Sequence, residues 1–446
     1  MRLAGWLVHP ARAIPAIYLV AIAAGAAFLM LPASTTAGES PALINATFTS
    51  VSAFCITGLT TVDTEHYWSP FGQFVIMVLI QVGGFGIVTL ASFLTLVATG
   101  RISLQGSLLA RQELRQRSLS STLRIPARIG AVMLIAESVT AVVLTLGFRR
   151  YTDDWGLAAW YGTFHAISAF NNAGFALFSD NLIGFAGDPG IILPICVAII
   201  VGGIGFPVLF ELADRRWWRS VSHWSMHTRL TIYGTLILLV IGILGFGVFE
   251  WNNPQTLGSM PIGDKLLGAL SGGVFPRTAG FNAIDYGEAS ESTLGLNYLL
   301  MFIGGGSAGT AGGIKVGTLG IVLAAVTAEI RGEDQVVVAH RAIPSAVQRS
   351  ALAVLLLGAL AVGLGTLLIV ISERFTLENV LFETISAFGT VGLSTGITAR
   401  LQPQSLIVLM VLMYLGRVGT ISVATALAIR SRHRQYRLPE EQPIVG

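Results

Sequence analysis

The chain has 446 residues, of which 53% are hydrophobic and only 11% charged, with a formal net charge of +3. A soluble protein carries about 25% charged residues, so this composition excludes a soluble enzyme or nucleic-acid-binding module and points to a single polytopic membrane domain. Only two cysteines are present, Cys55 and Cys196, both in apolar segments, which excludes a disulfide framework and a thiolate metal site.

Taken in chain order, apolar runs long enough for a hydrocarbon core of ~30 Å fall in pairs, at about 12–31 and 71–98, 127–148 and 190–212, 229–249 and 295–328, and 350–372 and 404–429. The run Ile14–Leu31 follows Arg2 and Arg12 without a small-residue cleavage site, so it reads as an uncleaved first span and not as a signal peptide. Between the members of each pair lies a shorter run, near 45–56, 159–171, 263–275 and 377–389. Each is too short to cross and predicts a re-entrant helix. The expected fold is therefore all-α, with eight spans in four tandem units of helix, pore helix, turn and helix around one path. The units are expected at 1–98, at 99–227 with a cytoplasmic linker, at 228–330, and at 331–430 with a second linker, followed by a tail at 431–446. The sequon Asn45–Ala46–Thr47 is common by chance and carries no weight.

Each short run ends in a turn with a central glycine: Ile56–Thr57–Gly58–Leu59, Asn172–Ala173–Gly174–Phe175, Thr278–Ala279–Gly280–Phe281 and Thr390–Val391–Gly392–Leu393. The glycines recur at intervals of 116, 106 and 112. A second glycine follows each at a nearly fixed offset: Gly83 at 25, Gly202 at 28, and Gly304 and Gly416 at 24. Such self-similarity is the mark of a repeat architecture. Thr-Val-Gly is the backbone-carbonyl chemistry of a potassium filter. Glycine lets adjacent carbonyls turn toward one axis, and four pore-helix C-termini, each carrying about −0.5 of a charge, favour a cation there. Unpaired carbonyls at membrane depth are tolerated only when they line a wet cavity or are buried in protein.

The last span of the third unit contains Gly304–Gly305–Gly306–Ser307–Ala308–Gly309–Thr310–Ala311–Gly312–Gly313. At about 1 kcal/mol per glycine relative to alanine, this cannot be a continuous helix, so an intramembrane break is expected below the filter. No Gly-Lys-Ser/Thr follows, which rejects a phosphate-binding loop. Arg417 lies in the fourth unit's last span near that level. An unpaired arginine at mid-bilayer costs at least about 2.5–3.5 kcal/mol, so it is expected to donate to loop carbonyls and oppose cation passage. Lys315 and Glu137 also lie inside spans, with partners that the sequence leaves open. His165 and Glu383 both stand nine residues before a filter glycine, where a structural role outweighs ligation. No zinc-ligand spacing or catalytic triad is present.

Basic residues set the orientation. The N-terminus, the loops 99–128, 213–229 and 331–349, and the tail hold 19, against six on the other side: Arg149, Arg150, Lys265, Arg277, Arg374 and Arg400. Both termini are thus expected in the cytoplasm, with the four turns opening outside. Fifteen acidic residues on that outer side would concentrate cations.

The fourfold unit and the turn Thr390–Val391–Gly392–Leu393 resemble the Trk/Ktr/HKT superfamily of potassium transporters over essentially the whole chain. Eight spans without an extra leading pair make it most similar to the bacterial Ktr-type membrane subunit. The resemblance implies potassium coordinated by main-chain oxygens around Gly58, Gly174, Gly280 and Gly392, a gating loop at 304–313 opposed by Arg417, and a homodimer with Ile444–Val445–Gly446 at the contact. It also implies a cytosolic nucleotide-binding ring on a separate polypeptide, because this chain has no dinucleotide-binding unit. The transported ion would be potassium, with sodium as a second ion, in the cytoplasmic membrane and in contact with lipid; no nucleic-acid partner is expected. The rival is an organic-solute secondary transporter built on inverted repeats. Two spans per unit favour parallel repeats instead.

Overall fold

A computed structural model describes residues 10–86, 124–214 and 224–419. The basic loop at 99–123, the far ends of the expected spans 71–98 and 404–429, and the tail with its proposed dimer contact lie outside the described residues. Four units follow one another. The first comprises α1 (Pro10–Leu29), α2 (Leu43–Phe54) and α3 (Pro70–Gly84). The second has α4 (Arg124–Phe148), α5 (Trp155–Phe170), α6 (Pro189–Ile204) and α7 (Phe206–Ala213). The third has α8 (Met226–Glu250), α9 (Ile262–Val274), α10 (Glu291–Phe302) and α11 (Val316–Arg331). The fourth has α12 (Ser345–Ser372), α13 (Leu377–Gly389) and α14 (Pro403–Tyr414).

Helix starts follow capping chemistry. The side chains of Ser69, Asp154, Asp188, Ser225, Ser290 and Thr376 each accept from a backbone N–H of the first turn, which pairs a donor that no helical carbonyl can reach. Proline opens α3, α6 and α14, where its missing N–H costs nothing. Among the described residues, the helices α4, α8 and α12 supply three stretches that are long and apolar enough to cross a membrane unbroken, at 126–148, 226–250 and 345–372. Their outer faces expose side chains such as Leu134, Val139, Leu236, Val240, Leu360 and Leu364. That surface suits lipid, not water.

A break was anticipated only in the third unit, yet α6 and α7 bend by 97° at Gly205, whose φ is +99°. In the fourth unit α14 passes into a π-turn at Leu415–Gly419, and in the first α3 ends at Gly84. The repeated glycines explain why these helices come so close to the centre. A Cβ on Gly83, Gly202 or Gly416 would land on the carbonyl oxygen of Phe54, Phe170 or Phe388, the last turn of that unit's own pore helix. Gly304 departs from this pattern and faces the Gly312 carbonyl across the intramembrane loop.

Carboxylates fix the outer ends in two units. Glu250, at the end of α8, accepts from the amide and hydroxyl of Ser290 at 2.9 and 2.8 Å, and Glu373, after α12, accepts from the Gln402 amide and the Ser405 hydroxyl, both at 2.8 Å. Each negative charge therefore sits at the positive N-terminus of its unit's second helix. Between the third and fourth units the linker forms a small hairpin, β1 (Val337–Val338) with β2 (Arg341–Ala342). Its turn uses left-handed Ala339 and His340, the geometry that matches strand twist.

Candidate ion filter and the loop beneath it

The pore helices α2, α5, α9 and α13 all end on a turn of one backbone shape. The first residue of each turn is left-handed: Ile56 at φ 59°, Asn172 at 58°, Thr278 at 62° and Thr390 at 48°. The glycine two residues on also has positive φ, at 92°, 70°, 73° and 99° for Gly58, Gly174, Gly280 and Gly392. For β-branched Ile56, Thr278 and Thr390 this is a strained conformation that the surroundings must impose. In three units a serine six residues before the glycine does so. Its carbonyl accepts from the middle residue, with Thr57 N to Ser52 O at 2.8 Å, Ala173 N to Ser168 O at 2.7 Å and Val391 N to Ser386 O at 2.8 Å. The hydroxyls of Ser52 and Ser386 also accept from the filter glycine amides, at 3.1 and 3.0 Å. The third unit has Val274 at that place, and its Ala279 amide bonds Phe275 O at 3.1 Å.

The four turns close into a ring. A Cβ on Gly58 would meet the Ala173 carbonyl oxygen, one on Gly174 that of Ala279, one on Gly280 that of Val391, and one on Gly392 that of Thr57. Each unit thus abuts the next, and the fourth returns to the first. These four carbonyls accept no hydrogen bond among the described residues. Buried carbonyls are normally paired, so a ring of unpaired ones is suited to replacing water around a hard cation. The residues after the glycines, Leu59, Phe175, Phe281 and Leu393, are buried and anchor each turn in the core.

His165 and Glu383 brace the outer legs from behind. His165 Nε2 accepts from the Leu177 amide at 3.3 Å, and Glu383 accepts from the Thr395 amide at 3.1 Å, the Ser394 hydroxyl at 2.6 Å and the Thr398 hydroxyl at 2.7 Å. Leu177 and Thr395 each lie three residues past their filter glycine, so the two side chains do the same work with different chemistry.

Below the ring the segment 304–313 crosses the middle of the molecule. Its base is pinned by the pairing of Ile303 with Ile314 and by Gly304 N to Ile314 O at 2.8 Å. A Cβ on Gly304 would come within 3.5 Å of the Thr278 methyl group, and one on Gly312 would strike the Thr390 hydroxyl. The Thr310 hydroxyl lies 3.0 Å from the Asn172 amide, so the loop touches the first filter residue of three units. Further out, Gly306 N bonds Gly203 O at 2.8 Å and Phe206 N bonds Ala308 O at 3.3 Å, with the Gly205 bend packed against Gly309. Arg417 is 6% exposed; it donates to the Thr310 carbonyl and, at 3.1 Å, to the Gly83 carbonyl of the first unit. Lys315 donates to Ala311 O and, at 3.5 Å, to Gly312 O.

Two intramembrane groups acquire partners that the sequence did not give. Glu137 accepts from Gln81 at 3.0 Å and from Asn171 at 2.9 Å, which ties the first two units together next to the second filter turn. Arg277, counted above among the outer cations, is instead 6% exposed. Its guanidinium donates to Gly304 O at 3.2 Å and to Thr235 O at 3.5 Å. Hydrophilicity put it outside, but the offset was the better signal: it stands three residues before Gly280, where the other units have buried Cys55, Asn171 and Gly389. The serine supports at Ser52, Ser168 and Ser386 carry the same kind of signal, since they recur six residues before a filter glycine.

Predominantly helical, multi-pass and built around a ring of carbonyls that are unpaired among the described residues, the molecule has the architecture of a cation transporter. The chain belongs to the cation transport protein family TrkH, whose profile matches residues 15–436. It is 38% identical over 429 residues to Ktr system potassium uptake protein B of Bacillus subtilis, covering 96% of this chain and 95% of that one. It is 34% identical to the Ktr system potassium uptake protein B of Vibrio alginolyticus, covering 96% and 93%, and 33% identical to potassium/sodium uptake protein NtpJ of Enterococcus hirae, covering 98% and 97%. The crystal structure of the potassium transporter TrkH from Vibrio parahaemolyticus shares the fold, with a TM-score of 0.72 at 19% identity, over 94% of this chain and 84% of that one.

Proposed function

We propose that the chain is the potassium-conducting subunit of an uptake system in the cytoplasmic membrane, with both termini in the cytoplasm. The observation that carries this reading is the closed ring of Thr57, Ala173, Ala279 and Val391 carbonyls, unpaired and immediately above a loop that two arginines hold. Four pore-helix C-termini add negative potential at the ring. Relatives named for potassium uptake, and one for potassium and sodium, support potassium as the main cargo and sodium as a second one. The segment 304–313 acts as the gate: its glycines give it two arrangements, and Arg417 stabilises the closed one while placing positive charge on the path.

Two relatives of this length are named as proteins of a Ktr system, which supports a second polypeptide. We assign that role to a cytosolic nucleotide-binding ring docked on the basic inner face of a homodimer. Potassium and sodium uptake into proteoliposomes, with and without such a ring, tests the assignment. Potassium uptake should exceed sodium uptake and should follow the ring's ligand. Deleting Ser307–Gly312 should raise flux and weaken its dependence on the ring, while the potassium/sodium ratio is kept. A well-folded deletion whose flux stays low and fully ring-dependent would show the loop to be a packing element only.

A further inference from the structure

We propose that Arg277 is a positioning residue that joins the third filter turn to the base of the loop 304–313, so that filter and gate move as one body on that side of the path. The inference rests on the filter-and-gate reading above and goes beyond it. Arg277 precedes left-handed Thr278 by one residue, and its side chain runs inward to the carbonyl of Gly304, the first residue of the loop, at 3.2 Å. A second donor reaches Thr235 O on α8 at 3.5 Å, and Nε has no acceptor. No carboxylate lies within ion-pair distance among the described residues. A buried guanidinium without a counter-charge is held only by the carbonyls it bridges. Here those carbonyls belong to the loop base and to a membrane-spanning helix.

The third unit also lacks the support that the first and fourth filters have. Val274 replaces the serine whose hydroxyl takes the filter glycine amide at Ser52 and Ser386. The loop stands beside this turn instead: a Cβ on Gly304 would come within 3.5 Å of the Thr278 methyl group, and Arg277 holds the Gly304 carbonyl. Farther along the loop, Arg417 donates to the Thr310 carbonyl. The two arginines therefore have different duties. Arg417 is the latch that a moving loop must leave, and Arg277 is the hinge pin that it keeps.

The test compares Arg277→Gln, Arg277→Lys and Arg417→Gln in the full chain, purified, checked for monodispersity and reconstituted without a partner, with potassium and sodium uptake measured side by side. Arg277→Gln is expected to lower the potassium/sodium ratio by about tenfold, the factor for one lost charge-assisted hydrogen bond, and to raise flux. Arg417→Gln should raise flux and leave the ratio unchanged. Arg277→Lys retains the charge but puts one nitrogen in place of the two terminal ones that reach Gly304 O and Thr235 O, without the planar fork that spaces them, so it should shift both readings part of the way in the same direction, and it decides the matter where the Gln variant does not fold. A ratio that survives Arg277→Gln overturns the proposal, as does a Lys variant indistinguishable from wild type. Wild-type protein without potassium preference would instead sink the filter reading itself, which is measured independently.

Discussion

In the fourth unit the Ser386 carbonyl takes the Val391 amide at 2.8 Å and its hydroxyl takes the Gly392 amide at 3.0 Å. In the third, Val274 stands in place of that serine and the Ala279 amide turns to Phe275 O at 3.1 Å. Both turns nevertheless reach the same left-handed geometry, with Thr390 at φ 48° and Thr278 at 62°. The fourth filter is held by its own pore helix, whereas the third leans on Arg277 and on the loop that follows. A repeat can therefore keep its backbone while moving its support from inside the unit to a neighbouring element, and the place where support has moved is the place where one element can report on another.

The largest effect that would break this comparison is expected at the ring itself. Replacing Gly392 by Ser puts a Cβ against the Thr57 carbonyl at a φ of 99°, and carbonyls displaced from the axis no longer replace water equally around each ion. The potassium/sodium uptake ratio should fall by at least about tenfold in protein that still inserts, by the cost of one such lost polar contact. Unchanged ratios in well-expressed Ser variants at all four glycines would remove the filter.

A smaller change sharpens the contrast between the two supports. Ser386→Ala removes only the hydroxyl that holds the Gly392 amide, so a loss of about 1 kcal/mol should lower the ratio several-fold. Val274→Ala in the third unit should leave the ratio in place because no hydrogen bond is lost there. Equal responses in the two units would show that the serine is a packing residue and not a tether.

The smallest effect lies on the outer surface, where His66 Nδ1 sits 2.9 Å from Asp63 Oδ2 and Ser179 of the second unit donates to the same oxygen at 2.5 Å. The hydrogen bond to Asp63, with Glu65 nearby, raises the pKa of His66 above its ordinary 6.5. Burial pushes Asp63 up, but hydrogen bonds from Ser179, His66 and the Glu65 amide outweigh it and leave Asp63 below 3.8. The histidine's contribution is complete below its unfolded value and is lost as pH rises through its folded value; the aspartate's is present above its unfolded value and is lost as pH falls through its folded one. Both therefore act together only in the window between. Thermal unfolding in detergent should show His66→Ala lowering the midpoint by about 1 °C near pH 6 and not at pH 9. An equal loss at both would assign His66 a role independent of its charge.

Much of the backbone geometry at the candidate site was legible because the repeat is written in glycine. A positive φ at Gly58 and its three counterparts admits few other residues, and the close approaches at Gly83, Gly202 and Gly416 admit no Cβ, so both sets recur at readable intervals. The loop 304–313 was legible for a related reason, since its composition cannot sustain a helix. What stayed hidden depends on contacts between units. The 97° bend at Gly205 looks like an ordinary apolar span with one more glycine, and only the packed loop shows why it turns. The partners of Glu137 come from α3 and from the second filter turn, 56 and 34 residues away. Arg277 misled because charge near a turn suggests exposure, whereas its acceptor lies 27 residues on.

The ring in which each glycine faces the next unit's carbonyl has a bearing on inheritance. A bulkier residue in one unit presses on backbone that belongs to another, so the damage lies outside the segment that changed. No side-chain exchange within the altered unit can relieve it, because the obstructing atom is a main-chain oxygen that every amino acid carries. The four segments of a single gene are free to diverge around this point, as their serine, valine, histidine and glutamate supports have done, but at the glycines they are bound to descend together.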